Sequence, residues 1–216
     1  MEAKPDFKAM STQKKLGYVW DYYRFHILGT IVLVIVFGSI IHHYATLKTA
    51  VLDMIFLNAY TPEDDRNPFA EFLAEQGYDP NEYEVYLATT LGYTFTEDGY
   101  QADYTTLQAI SAMFSTGDMD VFATPPQVFD EYASAGYVAD LSTIFTEEEL
   151  APYSDKIIYS TLTETGMQFP AAFNLNDCNW LQDYGYYDGD YYMAVTANSD
   201  SPDLTKEFIL YILQYE

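Results

Sequence analysis

Carboxylates are the reactive groups this chain has in excess. In 216 residues, 33 Asp and Glu stand against nine Lys and Arg, with three His and one Cys. Two carboxylates at the right separation can hydrolyse a glycoside or share a cation. In so acidic a chain such pairs arise everywhere by chance, and a pair alone points to nothing. The histidines decide more. His26, His42 and His43 flank one apolar stretch, and none follows Lys48. A Ser-His-Asp triad, a Cys-His pair and a histidine zinc site are therefore excluded from the last 168 residues. Cys178, the only cysteine, permits neither an intramolecular disulfide nor a cysteine metal cluster. No GxxxxGK phosphate loop occurs. The expectation is a protein that is not an enzyme and holds no cofactor or metal.

Two acidic groupings come nearest to a cation site: Asp118 with Asp120, and Asp188 with Asp190, Asn176 and Asp177. Neither fits the twelve-residue calcium loop, whose alternating ligands, central Gly and terminal Glu never coincide here. Solvated turn carboxylates are the expectation, with weak calcium association as the sharper alternative. The run Asp183 to Tyr192, DYGYYDGDYY, offers rigid aromatic faces for a sugar, a peptide or a partner surface. The strand preference of Tyr favours a plainer reading, an exposed hairpin turning at Asp188-Gly189 and covering a core.

The element that must position everything is Phe25 to Leu47, 23 residues without Asp, Glu, Lys or Arg. A helix needs ~20 residues to cross ~30 Å of hydrocarbon. Lys4, Lys8, Lys14, Lys15 and Arg24 precede the stretch, and Lys48 alone follows closely. The positive-inside rule then puts residues 1–24 in the cytoplasm as a short tail with an interfacial turn of helix, 25–47 in the membrane and 48–216 outside. The apolar core is long for a cleaved signal peptide and no small-x-small site follows it, so a retained anchor is expected.

Beyond Lys48 the chain carries 30 acids against three bases, Arg66, Lys156 and Lys206, a net charge of −27. Such a surface repels phosphate backbones and anionic headgroups, which excludes nucleic acid as a partner class. Along this part strand and helix patterns alternate. Strands are predicted over Ala50 to Ala59, Glu82 to Leu91 and Met119 to Ala123. Helices are predicted from the Asn67-Pro68 start to Gly77, from Tyr104 to Gly117 with Leu107, Ile110 and Phe114 on its face, and from Pro125-Pro126 to Gly136. Three alternations predict an α/β domain with a mostly parallel or mixed sheet. Later come a capping box at Thr146 and Glu149, a strand over Met167 to Leu175 with Pro170 marking an edge or bulge, a strand over Tyr191 to Ala197, and a helix from Ser201-Pro202 with Leu204, Phe208, Ile209 and Ile212 inward.

The segment Ile110 to Leu141, ISAMFSTGDMDVFATPPQVFDEYASAGYVADL, resembles type 2 extracellular (periplasmic) solute-binding proteins, the receptors of ABC importers. The resemblance lies in Gly117, Asp118, Asp120, Val121, Gly136, Asp140 and Leu141. Tyr192 to Leu213 is similar to their late strand, polar turn and helix, and the order of Val51 to Leu57 and Pro68 to Gln76 is similar to their start. The resemblance implies a lobe, or a reduced form, of that fold and capture of a small polar solute beside a membrane transporter. Such receptors usually have two lobes and nearly twice this length. Either Leu150 to Tyr187 is a remnant second lobe or one lobe remains. An alternative is a degenerate lobe serving as an accessory or scaffold subunit of a cell-surface membrane complex.

In such folds ligands sit at the carboxyl ends of parallel strands. This selects Asn58 and Tyr60 after the first strand, Thr89 and Thr90 after the second, Thr124 and Pro125 after the third, and Asn174, Asn176 and Trp180 from the later strand. For each one, closure of an ordinary turn is the competing role.

Overall fold

The computed structural model describes residues 11–62, 67–97, 99–117, 119–187 and 189–215, without the Lys14 side chain. The chain falls into two compact units that divide between Leu47 and Lys48.

The first unit is one helix, α1 (Thr12–Thr46), of 35 residues. It is long and apolar enough to cross a membrane by length and composition. The side chains of Ile31 through Phe37 are all exposed. Helix also continues back through Tyr18, Trp20 and Tyr22, so the interfacial turn expected there is the first half of α1. Residues 1–10 lie outside the described residues.

The second unit is an α/β domain with a mixed sheet. Its strands are β1 (Thr49–Phe56), β2 (Tyr83–Ala88), β5 (Val121–Thr124), β6 (Ile157–Thr161), β7 (Gln168–Asn174) and β8 (Tyr192–Val195), in spatial order β2-β1-β5-β8-β7-β6. β2, β1 and β5 run parallel, whereas β8 is antiparallel to both β5 and β7, and β6 to β7. Leu150 to Tyr187 therefore supplies β7 and the edge strand β6 to the same sheet and is not a second lobe. Helices α2 (Ala70–Glu75), α6 (Asn179–Asp183) and α7 (Pro202–Gln214) bury Phe72, Trp180, Phe208 and Ile212 over one face. Helices α3 (Tyr104–Thr116) and α4 (Pro126–Ser134) bury Ile110, Phe114, Val128 and Phe129 over the other. A short α5 (Glu147–Leu150) carries the expected capping box, with Thr146 Oγ1 accepting from Glu149 N at 3.3 Å.

Four local expectations change. Asn67 caps a turn, its Oδ1 accepting from Phe69 N at 3.0 Å, and α2 starts only at Ala70. Within α3, Tyr104 and Leu107 face solvent at 78% and 42% exposure while Thr106 takes an inward place, so the buried stripe is narrower than the apolar spacing. The turn after β2 is a two-stranded ribbon, β3 (Thr94–Thr96) with β4 (Gly99–Gln101). Most importantly, Tyr186 and Tyr187 are not strand residues. β8 pairs with β5 and β7 rather than folding back on the tyrosine run, and Tyr186, Tyr187 and Tyr191 are buried against Phe56 and its neighbours. Asp188, the first turn residue of that expected hairpin, lies outside the described residues. Burying several rings in a core outweighs the local strand preference that suggested a hairpin. Pro170 does mark a bulge: Tyr159 pairs with Pro170 and Ile158 with Ala172, leaving Ala171 extra.

At the amino end of the parallel strands the polar groups are closely satisfied. Asp120 is 5% exposed, yet its carboxylate accepts from Asp53 N at 3.0 Å, Ser199 Oγ at 2.5 Å and Ser201 N at 3.2 Å. This clamp joins β1 and β5 to the loop that leads into α7. It is the role that one acid of the Asp118-Asp120 pair plays; Asp118 lies outside the described residues.

Candidate functional site at the carboxyl edge of the sheet

β1, β2 and β5 end at one edge of the sheet, and the end of β7 joins them because two antiparallel pairings restore its direction. The loops that follow carry the residues selected from the sequence.

After β1, Asn58 adopts a left-handed backbone with φ of 59°, which Asn tolerates better than most residues. Its side chain is spent on the neighbouring loop. Nδ2 donates to Tyr93 O at 2.7 Å and Oδ1 accepts from Tyr93 N at 2.8 Å. Gly92 packs closely there, since a Cβ would lie 3.1 Å from Asn58 Nδ2. Asn58 thus holds the β2 loop in place. Tyr60 is 58% exposed, while its backbone N–H donates to Tyr186 O at 2.8 Å. Thr89 bonds Thr61 between hydroxyls at 2.8 Å, and Thr90 is exposed. Thr124 and Pro125 are buried where β5 passes into α4, with Thr124 Oγ1 donating to Pro125 O at 3.4 Å.

After β7, Asn174 Oδ1 accepts from Asn176 N at 3.0 Å, and Asn176 Oδ1 accepts from Tyr191 N at 3.3 Å. Tyr191 also donates its hydroxyl to Asn58 O at 3.0 Å. One buried tyrosine therefore ties the Asn174–Asn176 loop to the β1 loop across the edge. Asn174 and Asn176, with Asp155, Lys156 and Asp177, line a polar pocket of about 140 Å³.

Trp180 departs from expectation. It is fully buried against Phe69, Tyr186 and Phe208, a core residue that a solute cannot touch. Its indole Nε1 and the hydroxyl of Tyr187 are buried with no hydrogen-bond partner among the described residues. Tyr187 stacks on Phe56 and Tyr191, and burial first, then Tyr191, push its hydroxyl well above the ordinary tyrosine range. It stays neutral and retains its proton.

Asn58, Tyr60, Thr89, Thr90, Thr124, Pro125, Asn174 and Asn176 all lie at or just past the carboxyl ends of β1, β2, β5 and β7. Sequence reasoning missed Asp155 and Lys156, whose only signal was that Lys156 is one of three bases past residue 48. No group of three or more His, Cys, Asp or Glu placed to hold a metal occurs among the described residues.

Fold and edge together define a mixed-sheet α/β domain carried behind a membrane-length helix. In comparisons with known proteins, no family model, curated protein or solved structure matches the chain.

Proposed function

We propose that the protein is a membrane-anchored, extracytoplasmic solute-binding-like protein that captures a small polar solute near the membrane and serves a neighbouring ABC importer. Its N-terminus is cytoplasmic and its α/β domain lies outside the cell. One observation carries the reading: Tyr191 ties the loops after β1 and β7 into a single edge that holds a polar pocket. Ligand sites of open α/β sheets form outside the carboxyl ends of the strands. The topology of β2, β1 and β5, flanked by an antiparallel β8, accommodates a lobe of the type 2 solute-binding fold.

The test is a thermal-shift screen of the full chain in nanodiscs against sugars, amino acids and short peptides. A solute at a hundred times its dissociation constant adds ~2.7 kcal/mol, a shift visible in Tm. A flat response across all classes would refute the reading. Orientation is tested separately with Ser11→Cys and Thr163→Cys. An impermeant maleimide on intact cells is expected to label Cys at 163 and spare Cys at 11.

An accessory or scaffold subunit is the second reading. It is favoured by the commitment of Asn58, Thr89 and Thr124 to internal hydrogen bonds, which leaves less of the edge for a solute. It requires co-purification of the full chain with a membrane partner in mild detergent and no response to solutes.

A further inference from the structure

The pocket after β7 has an uneven chemistry that narrows what it would hold. Both carboxamide oxygens are already occupied, that of Asn174 by Asn176 N and that of Asn176 by Tyr191 N. Each oxygen keeps a second lone pair, and each NH₂ end has no hydrogen-bond partner among the described residues. Lys156 adds an ammonium. Among the described residues of the domain, Lys48 donates to Pro80 O at 2.6 Å and Lys206 pairs with Glu149 at 3.2 Å, whereas Lys156 Nζ has no hydrogen-bond or ion-pair partner. A partly buried lysine without an acid partner in a domain of 30 acids can receive an anionic group. Asp155 and Asp177 supply the opposite charge on the same lining.

These groups argue against a bound cation. Calcium takes six to eight oxygens, both amide oxygens already accept a backbone N–H, and the ammonium in the same lining repels a metal. A free anion is disfavoured by the surrounding negative charge. A ligand carrying both charges satisfies every group. The pocket, of about 140 Å³, suits a ligand of a few heavy atoms.

We infer that this pocket binds a small zwitterion of the glycine or alanine type. Its carboxylate is received by Lys156 Nζ and the Asn174 and Asn176 amides, and its ammonium by Asp155 and Asp177. The inference rests on the solute-binding reading and names its substrate class.

Isothermal titration calorimetry of the full chain in nanodiscs tests it, with glycine, alanine, acetate, ethylamine and glucose as titrants. Saturable binding of glycine or alanine, with acetate and ethylamine weaker by about tenfold or more, is the expected result. Lys156→Met and Asp177→Asn, both away from the apolar core, should each weaken glycine binding by about tenfold or more while the far-UV spectrum and melting curve stay unchanged. Equal glycine affinity in both variants would overturn the assignment of this pocket. Binding of glucose without glycine or alanine would overturn the zwitterion inference and leave the solute-binding reading standing. No binding of any titrant here, together with a flat response in the wider screen, would overturn both.

Discussion

The two ends of the sheet are built on different terms. At the amino end, Asp120 receives two backbone N–H groups and a hydroxyl, and Thr196 Oγ1 bonds Met119 O beside it. At the carboxyl end, Asn58 sits in a left-handed backbone, and among the described residues the buried Tyr187 hydroxyl and the Lys156 ammonium have no hydrogen-bond partner. Unsatisfied buried groups cost stability, and proteins tolerate them where a ligand or a moving part is accommodated. On the proposed reading, the amino end holds the fold and the carboxyl end binds the solute.

The largest effect is expected at the amino end. Asp120→Ala orphans three donors that link β1, β5 and the entry to α7, and should cost about 3 kcal/mol, read as a lower denaturation midpoint with unchanged m. Solute affinity should not change among molecules that remain folded. Next, Asn58→Ala loses both bonds to Tyr93 and places a Cβ residue less tolerant of positive φ, at a cost of about 2 kcal/mol. Asn58→Gly relieves the backbone and should recover part of that loss, which separates the conformational cost from the hydrogen bonds.

Alkaline pH sharpens the comparison. Burial raises the hydroxyls of Tyr93, Tyr132 and Tyr187 above the ordinary value of 10.0, with Tyr93 and Tyr132 sharing a 2.6 Å bond. These groups are neutral when protonated. Their stabilisation is complete below the unfolded value near 10 and is lost as pH climbs from there toward the folded values. Unfolding should therefore steepen above pH ~10 in a pH series of melting curves, and Tyr132→Phe should flatten that slope. The smallest effect belongs to Tyr187→Phe. Removing a buried hydroxyl that has no partner should leave stability unchanged or raise it by about 1 kcal/mol, whereas an equal truncation at a satisfied site would lower it.

Much of this architecture is legible in the sequence because it is local. The 3.6-residue spacing, the Thr146 cap and the glycine stops place the helices, and the alternation of elements yields the parallel strands. What is not legible is non-local. Ile157–Thr161 has no strong period, and it becomes a strand because β7 offers it a partner. Tyrosine prefers strands, yet the rings of the tyrosine run are drawn into a core made by β1, α6 and α7. Trp180 follows a strand end, as a ligand residue should, but the turn of α6 carries it inward. The pocket joins Lys156, at the start of β6, to Asn174, at the end of β7. Only the antiparallel pairing of those strands brings them together, with Asn174 N donating to Lys156 O at 2.7 Å.

The division between a holding end and a working end is tested most directly by hydrogen exchange of the full chain in nanodiscs, with and without saturating glycine. The account predicts slower exchange over residues 58–60, 89–93 and 174–178, which Tyr191 and Asn58 connect, and no change over residues 196–201 around Asp120. Slowing confined to 196–201, or no slowing anywhere under conditions where calorimetry records binding, would contradict it.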